Sequence, residues 1–301
     1  MSLPVLVFVH NHRFEENIAR LEKIYASRFS RIHHVMPFYR GKQPNVHGVY
    51  EASHQFQGYF AQASNALLAE NASHYIFCGD DLMLNPRLDE NNLIPELGLS
   101  SESGYMKAIT ALSSVPFSWP HMAGAILAFV QNTGVDWQRE LPSSEEASAA
   151  LKRHGIAMAP LSLSNFREGV GPRQFLELLF CFAKRIQARR FSLTELPYPL
   201  ATTYSDFFVV PGTSLGTFCH LCGVFAGMNL FAEVAIPTAL LMSCEHVLSE
   251  EKPKMHGYEL WTKSEIAELE SSNGCDLKRL FATFPDERLY LHPVKLSRWT
   301  I

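Results

Sequence analysis

The chain has 301 residues, of which 47% are hydrophobic and 19% charged, and its formal net charge is −4. These figures describe an ordinary globular protein and exclude a disordered chain, a basic nucleic-acid-binding arm and an acidic tail. Six cysteines spread over this length form no disulfide framework, so reduced thiols and a cytoplasmic setting are expected. The N-terminus lacks the basic start of a signal peptide and reads as the first strand of a fold.

Residues 5–10 form a continuous apolar run, as a strand buried on both faces requires. Residues 14–27 place Ile18, Leu21, Ile24 and Tyr25 at helical spacing, with Glu15, Glu16, Arg20 and Glu22 between them. A second strand spans 31–36, a loop 39–48, a second helix 55–70 and a third strand 74–78. Strands alternating with amphipathic helices predict a mostly parallel sheet flanked by helices, an α/β fold whose ligands bind at the carboxyl ends of the strands. His10, Asn11 and Arg13 follow the first such end, and Asp80 and Asp81 follow the third.

The middle of the chain is less regular, with helices expected at 145–154 and 172–188 among proline-containing loops. Residues 206–210 read as a further strand, 228–243 as a helix interrupted by Pro237, and 290–296 as a last extended segment. The stretch 207–229 holds no charged residue, long enough to span a bilayer, but its glycines and proline divide it into strand, turn and buried helix. No transmembrane helix is therefore expected, and peripheral association with a membrane stays open. One domain is expected over 1–301: a nucleotide-binding part to residue 86, an acceptor-side insertion over 87–204 and a catalytic part over 205–301.

Familiar signatures are missing: neither G-x-G-x-x-G, G-x-x-x-x-G-K-[ST] nor G-x-S-x-G occurs. What remains is carboxylate and histidine chemistry. In Ile76-Phe77-Cys78-Gly79-Asp80-Asp81-Leu82-Met83-Leu84-Asn85-Pro86, two adjacent acids end an apolar run. One reading is a helix cap or Asx turn. The other is a divalent cation that relieves the repulsion, with oxygen ligands suited to Mg²⁺ or Mn²⁺. Glu233 is the only acid in a long apolar stretch, which favours a raised pKa. It is a general base or a buried Glu held by backbone donors. Cys219-His220-Leu221-Cys222, with Cys244 and His246, could be drawn as a zinc site or read as core cysteines.

The order of elements and the acidic pair resemble the GT-A class of nucleotide-sugar glycosyltransferases, in which an Asp-x-Asp motif ends a strand. Gly79 stands where that class usually has its first Asp, with Asp80 and Asp81 in the next two places. The segment Leu289-Tyr290-Leu291-His292-Pro293-Val294-Lys295-Leu296-Ser297-Arg298-Trp299 is similar, in order though not in spacing, to a His–Lys–Trp series near the C-terminus of some members. The resemblance implies Mn²⁺ or Mg²⁺ held by Asp81 and His292, with the diphosphate met by Lys295. It also implies Asp80 on the ribose or sugar, and His10, Asn11 and Arg13 bordering the nucleotide. Glu233, then Asp206, are the candidate bases. The implied donor is a nucleotide-sugar, a UDP-sugar first, and the acceptor a glycan, a lipid-linked or a small hydroxyl compound. A nucleotidyltransferase and a non-catalytic binding protein are the alternatives from other classes.

Overall fold

A strand with no polar side chain on either face rests in the middle of a sheet covered on both sides. The computed structural model describes residues 2–166, 171–188, 195–250 and 255–301, and in it β1 (Val5–Val9) is buried throughout. It pairs in parallel with β2 (Ile32–Pro37) and β4 (His74–Gly79), and β2 pairs in parallel with β3 (Val46–Val49). Beyond β4 lie β9 (Phe207–Pro211), β6 (Ser103–Met106) and β10 (His246–Leu248), giving the order β10-β6-β9-β4-β1-β2-β3. Only β9 runs against its neighbours β4 and β6, so the sheet is mostly parallel, as expected.

Alternation along β1 splits the core into two layers. Val5, Val7 and Val9 pack with Tyr59, Phe60, Phe77 and Phe208, whereas Leu6 and Phe8 pack with Leu21, Tyr25, Ile76 and Leu84. Helix α1 (Glu15–Tyr25) covers the second layer through Leu21, Ile24 and Tyr25. Helix α2 (Gln57–Ala69) and the helices Leu215–Gly227 and Ala232–Ser243 cover the first. A Cβ on Gly223 would lie 2.8 Å from the Cβ of Ala61, so the close approach of two of these helices requires glycine there.

Several expectations change. The loop over 39–48 ends in β3, an edge strand whose Val46 and Val49 are buried. Only four residues pair, and Pro44 and Asn45 just before them carry turn signals that hid it. The uncharged run 207–229 divides into β9, a turn at Gly212–Ser214 and the helix Leu215–Gly227. No helix among the described residues is long and apolar enough to cross a membrane. In the middle region, Ser144–Arg153 is helical and starts at a capping box between Ser143 and Glu146, and Pro172–Ala188 is helical as expected. This region is closed at its neck, because β7 (Thr110–Ala111) pairs with β8 (Ala201–Thr202). A three-stranded sheet, β11 (His256–Glu259), β12 (Arg288–His292) and β5 (Met83–Leu84), completes the fold.

Candidate active site

Asp81 and His292 are 211 residues apart in sequence and meet because Leu82-Met83-Leu84 is apolar enough to pair as a strand. β5 lies antiparallel to β12 with Met83 opposite Leu291, and the Val294 N–H donates to the Asp81 carbonyl at 2.6 Å. His292 Nε2 then donates to Asp81 Oδ1 at 2.9 Å, and its Nδ1 shares a hydrogen bond with the Tyr204 hydroxyl. Burial alone lowers the imidazole pKa, but the hydrogen bond and charge of Asp81, with Asp206 and Glu259 behind it, raise it above the ordinary value.

The reversed direction of β9 decides where Asp206 goes. In a parallel strand the residue before the first would sit at the amino edge of the sheet. Here it sits at the carboxyl edge beside Gly79, whose N–H donates to the Asp206 carbonyl at 2.9 Å. A Cβ built on Gly79 would lie 3.5 Å from Asp81 Oδ1 and 3.6 Å from Asp206 Oδ1. Asp206, the residue before β9, thus brings a carboxylate beside Gly79 and Asp81. Burial raises the Asp206 pKa, the charges of Asp81 and Glu259 add to it, and His292 and Tyr204 oppose it.

Glu233 is set by Pro237. Within the helix Ala232–Ser243, the proline has no N–H to give the carbonyl four residues before it, which is that of Glu233. That carbonyl instead accepts from the Thr203 N–H at 3.1 Å and the Thr202 hydroxyl at 3.0 Å. The first turn of the helix is thereby tied to the strand that leads into Tyr204, Ser205 and Asp206. Burial and the nearby charge of Asp206 push the Glu233 carboxyl up to about 7.

Asp80 is treated differently. It is buried, accepts from Asn17 Nδ2 of α1 at 2.8 Å, and lies 3.4 Å from His10 Nδ1. Burial raises its pKa, but His10, Asn17 and the Asn11 backbone outweigh that and hold the carboxyl below its usual range. His10 contacts His34 Nδ1 at 3.0 Å through its other nitrogen, and burial first, then His10, lower His34 to about 3. His10, expected to border the nucleotide, is fully buried and reaches the site only through Asp80.

Two adjoining pockets share Asn11 and His12. The larger, about 740 Å³, is lined by Arg13, Asn17, Arg20, Asp80, Asp81 and Lys295 among others. Its walls are the start of α1 and the turn Leu296–Arg298, joined by the Arg20 guanidinium, which donates to the Leu296 carbonyl. The smaller, about 260 Å³, is lined by Asp206, Glu233, His54, Phe56 and Phe231. The expected site residues therefore gather at one edge of the sheet. No family model, curated protein or solved structure matches the chain.

The metal expectation meets an obstacle. Asp81 and His292 are bonded to each other, Asp80 is committed to Asn17 and His10, and no group of three or more His, Cys, Asp or Glu among the described residues is placed to hold a metal ion. The donors do not fit a divalent ion as they stand, since it would first have to part Asp81 from His292. The drawn zinc site does not assemble either. Cys219, Cys222 and Cys244 are core residues whose thiols burial pushes up, Cys219 to about 12, and His246 is exposed.

Sequence reasoning missed Arg20, Tyr204 and Trp261. Trp261 is 73% exposed with its ring 5.4 Å from that of Tyr204, which places an open indole beside the Asp81–His292 pair. Nothing in the sequence separates it from the other three tryptophans. Tyr204, two residues before Asp206, offered a faint signal. Arg20 looked like an ordinary polar helix position.

Proposed function

We propose that the protein transfers a glycosyl group from a nucleotide diphosphate donor to a hydroxyl acceptor, on a GT-A-like arrangement of its α/β sheet. The observation that carries this reading is the junction of the two pockets. One joins Arg13, Arg20 and Lys295 to the first turn of α1, beside the carboxylates Glu15, Glu16, Asp80 and Asp81, of which Glu15 pairs with Arg13, and the other joins two carboxyls of raised pKa. A helix start and fixed cations suit a polyanion, and a base that titrates near neutrality suits removal of a hydroxyl proton.

In this reading the diphosphate lies in the larger pocket against Lys295, Arg13 and Arg20. The acceptor hydroxyl enters the smaller pocket and its oxygen attacks the anomeric carbon. The bond from that carbon to the phosphate oxygen breaks, and its electron pair leaves on the diphosphate, where the cations stabilise it. The hydroxyl proton passes to Glu233, with Asp206 as the second candidate. Exposed Trp261, beside Tyr204, offers a flat apolar face to a sugar or base.

Thermal unfolding with a panel of nucleoside diphosphates and their sugar conjugates, each with and without Mn²⁺, tests the reading. One nucleotide at about a hundred times its dissociation constant should stabilise the fold by about 2.7 kcal/mol. The Mn²⁺ arm reads whether an ion can open the Asp81–His292 contact. No stabilisation by any nucleotide, in either arm, refutes the donor site.

A further inference from the structure

We propose that this site carries a diphosphate without a divalent ion, because His292 and Tyr204 already give Asp81 and Asp206 the partners that an ion would give them. The proposal rests on the transferase reading of the two pockets and concerns how they meet the leaving group. Four side chains form one hydrogen-bonded row between the pockets. Asp81, in the wall of the larger, accepts from His292 Nε2 at 2.9 Å, and His292 Nδ1 meets the Tyr204 hydroxyl. Asp206, in the wall of the smaller, takes the same hydroxyl as its hydrogen-bond partner. A phenol has one proton and free lone pairs, so Tyr204 can serve both neighbours at once.

The row uses the directions that coordination needs. An imidazole nitrogen offers a ligand one direction, in the plane of its ring, and at Nε2 that direction holds the proton shared with Asp81. An ion there has to displace the proton and push Asp81 Oδ1 out of line. The backbone keeps both residues in register: the Val294 N–H donates to the Asp81 carbonyl at 2.6 Å, and the Leu260 N–H to the His292 carbonyl at 2.7 Å. Tyr204 fixes the ring as well. It packs edge-on against His292 with ring centres 5.6 Å apart and is backed by Trp261, which makes it a positioning residue.

The acids of the larger pocket follow the same pattern. Asp80 has Asn17 and His10, Asp81 has His292, and Glu15 has Arg13, so only the exposed Glu16 lacks such a partner among the described residues. Arg20 and Lys295 pair with no carboxylate among the described residues, and Arg20 is held by the Leu296 carbonyl. Two cations are thus left for the diphosphate, beside acids that are mostly matched.

The test follows Mn²⁺ by electron paramagnetic resonance and nucleoside diphosphate binding by calorimetry, on the purified full chain in excess chelator or with Mn²⁺. The parent should leave the ion free, and its nucleotide affinity should differ by less than about 2-fold between the two conditions. Asp81→Asn removes an anion beside the diphosphate and should tighten binding by about 3-fold in both conditions, whereas loss of a metal ligand would weaken it. His292→Ala uncovers the Asp81 carboxylate. It should lose about 10-fold in chelator and recover with Mn²⁺, since one carboxylate with substrate phosphates can hold such an ion. A histidine that only supports the fold gives no such rescue. Should His292→Ala fail to fold, Tyr204→Phe, which removes only the hydroxyl, should gain the same Mn²⁺ dependence in smaller measure. Mn²⁺ bound by the parent and lost in Asp81→Asn overturns the proposal, as does nucleotide binding that chelator abolishes. If no nucleotide binds the parent in either condition, the donor site fails instead, and the Mn²⁺ signal still decides the question of the ion.

Discussion

In the pocket between α1 and the turn Leu296–Arg298, the buried Asp80 accepts from Asn17, lies against His10, and is held as an anion. In the pocket beside it, burial raises both Asp206 and Glu233, and the charge of Asp206 adds to the rise of Glu233. On Asp206, burial with the charges of Asp81 and Glu259 outweighs His292 and Tyr204, so both carboxyls bind protons more tightly than free ones. The two pockets share Asn11 and His12, so neighbouring space assigns the same functional group opposite work. A carboxylate surrounded by donors stays charged and fixes geometry. One whose desolvation outweighs its donors holds its proton to higher pH, and Glu233, raised to about 7, is placed as a proton acceptor near neutral pH.

The sharpest way to break this contrast is to neutralise one member of the acidic pocket. Glu233→Gln keeps the shape and should lower turnover by about 10²–10⁴-fold, the range for loss of a general base, with nucleotide affinity unchanged. Full turnover in this variant would reject Glu233 as the base and leave Asp206 as the candidate. On the other side of the junction, Lys295→Ala removes a cation from the larger pocket. It should weaken nucleotide diphosphate binding by about 10-fold in calorimetry, consistent with one charged contact. Unchanged affinity would place the diphosphate elsewhere.

How much of this was legible in the sequence depends on which interactions each feature needs. The alternation of β1, α1, β2, α2 and β4 was readable because it rests on local hydrophobic period, and so was the location of the acidic pair at a strand end. The meeting of Asp81 with His292 was implied by the resemblance to GT-A enzymes and by no local pattern, and the contact itself depends on β5 pairing with β12. The antiparallel sense of β9 was not legible, since Phe207-Phe208-Val209-Val210 reads the same in either direction, yet that sense alone brings Asp206 to Gly79. The role of Pro237 was half visible as an interruption. That it frees the Glu233 carbonyl to be held by Thr202 and Thr203 is a tertiary fact. The commitment of His10 and Asp80 to each other also lies beyond local pattern, as does the exposure of Trp261.

The smallest expected effect tests the contrast through stability alone. Glu233 has a folded pKa of about 7, above its ordinary value of 4.5, so the native state binds the proton more tightly than the unfolded chain. Stability therefore falls as pH rises from about 4.5 to 7, and the penalty is fully present above that window. Glu233→Gln removes the penalty and should be more stable than the parent above pH 7 by about 1–2 kcal/mol, or a few degrees in thermal midpoint, with no difference near pH 4. Asp80 has the opposite sign: its folded pKa is lowered, so its charge contributes stability above the usual carboxylate range that is lost as pH falls below it. Asp80→Asn should accordingly be less stable than the parent at neutral pH, the difference narrowing in acid. Thermal unfolding of Glu233→Gln between pH 4 and 8, and of Asp80→Asn from pH 8 down to about pH 2, below the usual carboxylate range, checks this. A shift of the same sign in both at neutral pH would remove the distinction between the pockets.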